Sequence, residues 1–283
     1  MKIVQIILAA LVSLLSAVQP AQAGTPAPIK LTFGVAPQQA VTNVAEAWTP
    51  LLAYLSSKTG YTLEFRTAQD IATFDRRIKT GEFDFAYFNP LLYTTYYRVS
   101  GYHAVAKEKD TQLVGIVVVP KDSGYKSLKD LKGVTMAFPS PMAFAATILP
   151  QLSLKQLGVD VVPRYVSSHE SVYRTVAFGL YPAGGGIVKT YDAVDPAVRD
   201  QLRILWKSAP YTSHPVAVNG RVPKQVTQRV VAALLAMAND PKGAQLLAAA
   251  GYKGFVAAND SDYDDIRKLA DSLGKSGLDL KAR

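Results

Sequence analysis

Apolar positions along this chain recur first at strand spacing and then at helical spacing, and the two rhythms alternate over most of its length. Residues 30–35 (KLTFGV) alternate as a half-buried strand does, and the turn-like Ala36-Pro37-Gln38-Gln39 ends them. Trp48, Leu51, Leu52 and Leu55 share one helical face, and Lys58-Thr59-Gly60 stops that helix. Residues 61–66 (YTLEFR) predict a second strand, 71–80 a short helix closed by Gly81, and 83–88 (FDFAYF) a third strand. Strands and helices in alternation imply right-handed crossovers and a mostly parallel sheet.

A second cycle follows. Residues 113–119 (LVGIVVV) form a nearly unbroken apolar run that Pro120-Lys121-Asp122-Ser123-Gly124 ends as a loop. After Ser127-Leu128-Lys129-Asp130-Leu131-Lys132-Gly133 the pattern predicts a strand at 134–138, a helix over about 145–157, a strand at 161–166 and a helix over about 168–178. A glycine stretch, 184–186, comes next. Residues 202–206 and 215–219 read as strands returning toward the first half, and the tail is helical over 224–238, 241–250 and 262–273. Two α/β cycles with a late return predict two hinged lobes, residues 24–112 with 216–283 and residues 113–215, with a ligand in the cleft between them. A single doubly wound domain is the alternative this pattern leaves open.

Composition narrows the picture. The 283 residues are 49% hydrophobic and 19% charged, enough for one large or two modest cores. Lys2, the apolar run from Ile3 to Val18 and the triplet Ala21-Gln22-Ala23 predict a secretory signal at 1–23, with export to the periplasm. If retained, the same segment would act as an anchor. The chain has no cysteine, which excludes disulfides, thiolate metal sites and Cys nucleophiles. The net charge of +9 could suit nucleic acid, but the 31 Lys and Arg are spread among 22 acids with no basic block interleaved with aromatics. We therefore expect no nucleic-acid partner; the charge at most helps an anion find a cleft.

Catalytic motifs are missing. Gly184-Gly185-Gly186-Ile187-Val188-Lys189-Thr190 superficially matches a phosphate-cradling loop, but Val188 stands where a Gly must precede the Lys. There is no G-x-S-x-G elbow and no H-E-x-x-H pair. His103, His169 and His214 lie far apart, and each alone reads as a surface or core residue. His169 and Glu170 are adjacent helical residues that do not face the same way. We expect no enzyme, no cofactor and no metal.

A set of segments carries a family likeness. WTPLLAYLSSKTG (48–60), GEFDFAYFNPLLY (81–93), SLKDLKGVTMAF (127–138) and SSHESVYRTVAFG (167–179) come in order, followed by DPKGAQLLAAAGYKGF and SDYDDIRKL within 240–269. In these segments the chain, from about Leu31 to Leu273, resembles the phosphate/phosphite/phosphonate solute-binding proteins of ABC importers. The resemblance implies the type II periplasmic binding protein fold: α/β, two lobes, each a central mostly parallel sheet flanked by helices, joined by a two-strand hinge. It also implies capture of a small oxyanion or related organic anion by a monomer that delivers it to an ABC permease. The alternative is a ligand-sensing accessory that docks on the outer domain of a sensor kinase.

In such proteins the oxyanion head sits against the start of the second lobe's first helix. The matching positions here are Ser140, Met142, Ala143, Phe144 and Thr147, joined by His169 and Glu170 from the second lobe and by Gln38, Asn89 and Tyr93 from the first. The sequence departs from the family pattern at two places. Met142, Ala143, Phe144, Ala145 and Ala146 replace a run rich in Ser, Thr and Gly, and Pro182 stands where an Asp is usual. Lost hydroxyls weaken an oxyanion site, because a helix end returns only about 0.3–2 kcal/mol against a desolvation cost of several. The reading is therefore of altered specificity toward a ligand with more carbon surface or weaker charge.

Overall fold

The computed structural model describes residues 29–275, so the expected signal segment lies outside the described residues. The first half of the chain runs β1 (Lys30–Val35), α1 (Val41–Thr59), β2 (Thr62–Arg66), α2 (Ile71–Lys79), β3 (Phe85–Tyr87), α3 (Pro90–Ser100) and β4 (Tyr102–Glu108). Local chemistry sets the ends of these elements. Gly60 closes α1 in the left-handed region at φ 75°, Asp70 caps α2 through the Thr73 N–H, and Asn89 caps α3 through the Leu92 N–H with Pro90 in the first turn.

The chain then crosses over through β5 (Gln112–Leu113) into β6 (Gly115–Pro120), β7 (Thr135–Phe138), a π-helical turn at Phe144–Ile148, α4 (Leu149–Gln156), β8 (Val162–Tyr165), α5 (His169–Ala177), β9 (Ala183–Ile187), α6 (Val188–Ala193), α7 (Pro196–Arg199) and β10 (Leu202–Lys207). It returns through β11 (Tyr211–Thr212) to β12 (Pro215–Asn219), α8 (Lys224–Ala236), α9 (Pro241–Ala249), β13 (Phe255–Ala257) and α10 (Asp264–Lys275).

Two main sheets result. The six-stranded sheet has the order β13-β4-β12-β3-β1-β2, in which β1 to β4 run one way and β12 and β13 the other. The five-stranded sheet has the order β10-β6-β9-β7-β8, and only β6 opposes its fellows. Between them β5 and β11 pair antiparallel as a two-stranded ribbon, the position a hinge takes when one chain crosses twice between lobes. This is the α/β type II periplasmic binding protein architecture.

Each sheet is covered by its own core. In the first, Trp48 of α1 lies 5.3 Å from Phe33 and 5.1 Å from Tyr87, ring centroid to ring centroid, so α1 is pinned to the sheet by aromatic burial. Each such ring is worth on the order of 2–3 kcal/mol in water-exclusion energy.

The glycine stretch is β9, a central strand of the second sheet. A Cβ at Gly184 would collide with Val172, one at Gly185 with the Ala146 carbonyl and the Phe138 ring, and one at Gly186 with Tyr173. The glycines let the turn at 144–148 and α5 both press against the sheet. Six further elements went unread in the sequence: α3, β4, α6, α7, β11 and β13. The apolar run at 113–119 splits at Val114 into β5 and β6, and 202–206 stays with the second sheet instead of returning to the first.

Candidate functional site

The lobes meet face to face. The Gln38 carbonyl in the β1–α1 loop accepts the His169 N–H at 3.1 Å, and Glu170 Oε2 accepts the Ala40 N–H at 3.1 Å. Asn89 donates its side-chain amide to the Met142 carbonyl at 3.4 Å, and the Ile71 N–H reaches the Ser167 carbonyl at 3.5 Å. Ser167 holds the left-handed conformation at φ 76°, which a β-carbon disfavours, and Ser168 then caps α5 so that His169 enters the cleft at the helix start. The arrangement is a closed one.

Two cavities flank the line from Gln38 to His214. The outer one holds about 360 Å³ and is lined by Trp48, Tyr87 and Tyr252 of the first lobe and by Lys189, Thr190 and Asp192 of the second, with Gln38 and Gln39 at the rim. Its aromatic wall is close-built: Trp48 meets Tyr252 edge-on at 5.5 Å, and Tyr87 meets Tyr252 at 6.1 Å. Glu108, at the end of β4, is 3% exposed and takes a hydrogen bond from the Tyr87 hydroxyl and an ion pair from Lys189 Nζ at 2.6 Å. Burial draws the Lys189 ammonium below its usual range, while the Glu108 carboxylate pulls the other way.

The inner cavity is nearly filled. About 20 Å³ remains, roughly the room of one water molecule, between Asp75 and Asn89 of the first lobe and Ala143, Phe144, Ala145, Ala146 and His169 of the second, with His214 alongside. Burial lowers both His169 and His214 to about 3, so each ring is neutral. His214 accepts the Gln38 amide at Nε2, 2.6 Å away, and stacks on Tyr87 at 5.3 Å. His169 Nδ1 shares a 3.0 Å hydrogen bond with the Thr190 hydroxyl, which Tyr173 also meets at 2.8 Å. Asp75 is half-buried; desolvation first, and the nearby Asp70 carboxylate second, push its carboxyl up to about 8. Among the described residues that line this cavity there is no Lys or Arg to meet an oxyanion.

The candidate residues separate on these facts. Gln38, Asn89, Ala143, Phe144 and His169 converge on the inner cavity, and Met142 offers its carbonyl to Asn89. Glu170 lines a separate cavity of about 210 Å³ with Gln39, Asn43 and Arg174. Thr147 is fully buried and gives its hydroxyl to the Ser140 carbonyl at 2.7 Å, while Ser140 Oγ is buried without a partner. Tyr93 lines neither cavity: it sits in the first-lobe core, donates to Asp260 at 2.7 Å and accepts the Ala104 N–H. Among the described residues no cluster of three or more His, Asp or Glu is placed to hold a metal, and no helix is long and apolar enough to cross a membrane.

The family of ABC transporter periplasmic substrate-binding proteins for phosphonate matches residues 33–263 by its sequence model. The chain belongs to this family. The Phosphate-import protein PhnD of Mycolicibacterium smegmatis is 24% identical over 279 residues, covering 87% of each chain. A binding-protein component of a phosphonate ABC transporter from Pseudomonas aeruginosa superposes with a TM-score of 0.81 at 18% identity, covering 88% of each chain. PhnD1 of Prochlorococcus marinus, solved with methylphosphonate, gives 0.79 at 19% identity, over 88% of this chain and 99% of that one. These relatives are binding proteins, not enzymes, and the family's members work outside the cytoplasmic membrane.

The sequence reading missed Glu108, Lys189, Tyr87, Tyr252 and Asp75. One signal was present. In β4 the inward positions are Tyr102, Ala104, Ala106 and Glu108, so strand alternation alone puts an acid on the buried face. Lys189, its partner, carries no such signal, standing in the Gly184–Thr190 stretch that lacks the Gly a phosphate loop needs before its Lys.

Proposed function

We propose that this protein captures a small solute in the cleft between its lobes and presents the closed form to an ABC permease, with a specificity that departs from simple phosphonate or phosphite. The observation that carries the reading is the approximately 360 Å³ cavity between two lobes already joined by hydrogen bonds across the cleft. Capture needs no chemistry on the solute. A solute in that cavity meets Gln38 and Gln39 at the rim, the Trp48, Tyr87 and Tyr252 rings on the first lobe and Thr190 and Asp192 on the second, while Asn89, His169, Ala143 and Phe144 act from the small inner cavity behind Gln38 and Glu170 from the cavity beside it.

The departure in specificity rests on charge and space. An oxyanion loses hydration worth several kcal/mol on entering a closed cleft, and it needs hydroxyls or cations to offset that loss. At the family's oxyanion position stand Ala143, Phe144, Ala145 and Ala146 around about 20 Å³, beside two neutral imidazoles and the Asp75 carboxyl. The one cation in the outer cavity, Lys189, is already neutralised by Glu108. A solute with more carbon surface or weaker charge, such as an organic acid or a substituted phosphonate, fits this lining better.

A thermal-shift screen over oxyanions, phosphonates, sulfonates and carboxylates, followed by calorimetry, tests the reading. Because a ligand that binds only the native form raises Tm, a hit among the larger organic anions is the expected result. Submicromolar binding of phosphite or methylphosphonate would contradict the altered specificity. Silence from every compound would contradict solute capture. Nothing in the geometry favours docking on a sensor kinase over docking on a permease.

A further inference from the structure

Lys189 is anchored on one lobe and reaches into the other, with its side chain 31% exposed. It leaves the second lobe at the start of α6, directly after β9, yet its ammonium ends 3.6 Å from the centroid of the Tyr252 ring and 2.6 Å from Glu108 Oε2, both in the first lobe. Trp48 and Tyr87 back the Tyr252 ring edge-on, 5.5 and 6.1 Å from it and 5.1 Å from each other, they line the same cavity as Lys189, and the Tyr87 hydroxyl holds the second carboxylate oxygen. A carboxylate beside an electron-rich ring face is the arrangement by which proteins recognise an organic ammonium, since the quadrupole and the anion together replace its water. Here that arrangement belongs entirely to the first lobe, and the protein's own second lobe fills it.

We propose that Lys189 is a built-in ligand: its ammonium occupies a cage on the first lobe formed by the Tyr252 ring and Glu108, with Trp48 and Tyr87 behind them, so that the lobes close without a solute and a solute bearing an organic ammonium group competes for the same place. The proposal rests on the two-lobe closing reading above. Two observations give it reach beyond a structural ion pair. The pair crosses the cleft, so it exists only when the lobes are shut. The cage also opens onto the outer cavity, where Asp192 faces it and no second cation is present among the lining residues. A tethered group competes at an effective concentration on the order of millimolar. A free ammonium should therefore bind the intact protein weakly and a variant without Lys189 more tightly.

The experiment uses small-angle scattering of the solute-free protein, of Lys189→Met and of Lys189→Met/Glu108→Gln, with calorimetry of tetramethylammonium chloride against sodium chloride at equal ionic strength. The intact protein is expected to scatter as the closed form and Lys189→Met as a larger, open one. Lys189→Met should bind tetramethylammonium at least tenfold more tightly than the intact protein, and the double variant should be open and bind none. If the single variant fails to fold because Glu108 is left buried and unpaired, the double variant decides by its scattering: open supports the proposal and closed overturns it. A Lys189→Met protein with the intact scattering curve, or with no gain in tetramethylammonium affinity, overturns it as well. Those failures would leave solute binding by the intact protein untouched, whereas a silent solute screen would sink the capture reading and leave the scattering result standing.

Discussion

The two cavities at the lobe interface are built from opposite materials. The outer one is open, about 360 Å³, and walled by aromatic rings beside a half-buried ion pair; the inner one is down to about 20 Å³ and walled mostly by alanines, one phenylalanine and neutral imidazoles, with Asp75 and Asn89 on the first-lobe side. They share Gln38, which separates them with His214. The difference teaches where recognition has moved. The helix start that serves an oxyanion in the family's pattern is packed shut with apolar side chains, and the charged and aromatic groups stand on the other side of Gln38. A family assignment therefore fixes the closing mechanism more firmly than it fixes the solute.

The sharpest way to break this comparison is to reopen the inner cavity. Phe144 is about 1% exposed and lies edge-on to Tyr211 of the hinge ribbon at 5.3 Å. Phe144→Ala removes that packing and leaves a void, and should lower unfolding stability by about 3–5 kcal/mol in a urea titration. The same variant makes room where the oxyanion head is expected in the family. If it gains phosphonate affinity over the intact protein, Phe144 is what excludes that head; unchanged affinity places the loss with the missing hydroxyls instead.

How much of this could be read from the chain follows from which side chains announce themselves. The alternation of apolar positions gave β1, α1, β2 and α2, because each has one buried face and a recognisable stop such as Gly60 or Gly81. The segment 90–100 hid because its tyrosines and threonines carry no clear apolar stripe, although Asn89-Pro90 is a sound helix start. β9 hid behind its glycines, whose burial is a property of their neighbours. The inner cavity was legible, since Met142 to Ala146 visibly depart from the family's pattern. The outer cavity was not, because Trp48, Glu108, Lys189 and Tyr252 come from four distant segments that only the fold brings together.

Acid titration sharpens the comparison next, because the inner cavity carries the shifted groups that titrate between about pH 3 and pH 8. His169 and His214 are held at about 3 by burial, with Lys189 adding to the effect on His214, whereas an unfolded histidine takes a proton near pH 6.5. Their folded values are depressed, so their contribution is complete above about 6.5 and is lost as pH falls toward 3, at about 1.4 kcal/mol per unit for each ring. Asp75 acts in reverse. Its folded carboxyl is raised to about 8, so the fold gains stability as pH falls below 8, by a share that solvent on its open side reduces. The net expectation is a loss of about 2 kcal/mol between pH 7 and pH 5, measured by urea unfolding at each pH. Asp75→Asn should raise stability at pH 8 by about 3 kcal/mol and steepen the acid loss. A stability flat from pH 7 to pH 5 would mean that the two imidazoles are reached by water and that the inner cavity is not closed.

The smallest expected effect lies at the rim that joins the two cavities to solvent. Glu170 accepts the Ala40 N–H from across the cleft and pairs with Arg174 on its own helix at 2.9 Å, and both partners face solvent on one side. An exposed i,i+4 pair is worth about 0.3–0.5 kcal/mol, so Glu170→Gln, which keeps an acceptor for Ala40, should change unfolding stability by less than about 1 kcal/mol. Its effect on solute affinity then reads out geometry. If the solute sits in the outer cavity against the aromatic wall, Glu170 acts only through closure and calorimetry should show a change of about threefold or less. A loss of tenfold or more would place the solute against the start of α5, in direct contact with Glu170, and would return recognition to the second-lobe helix ends.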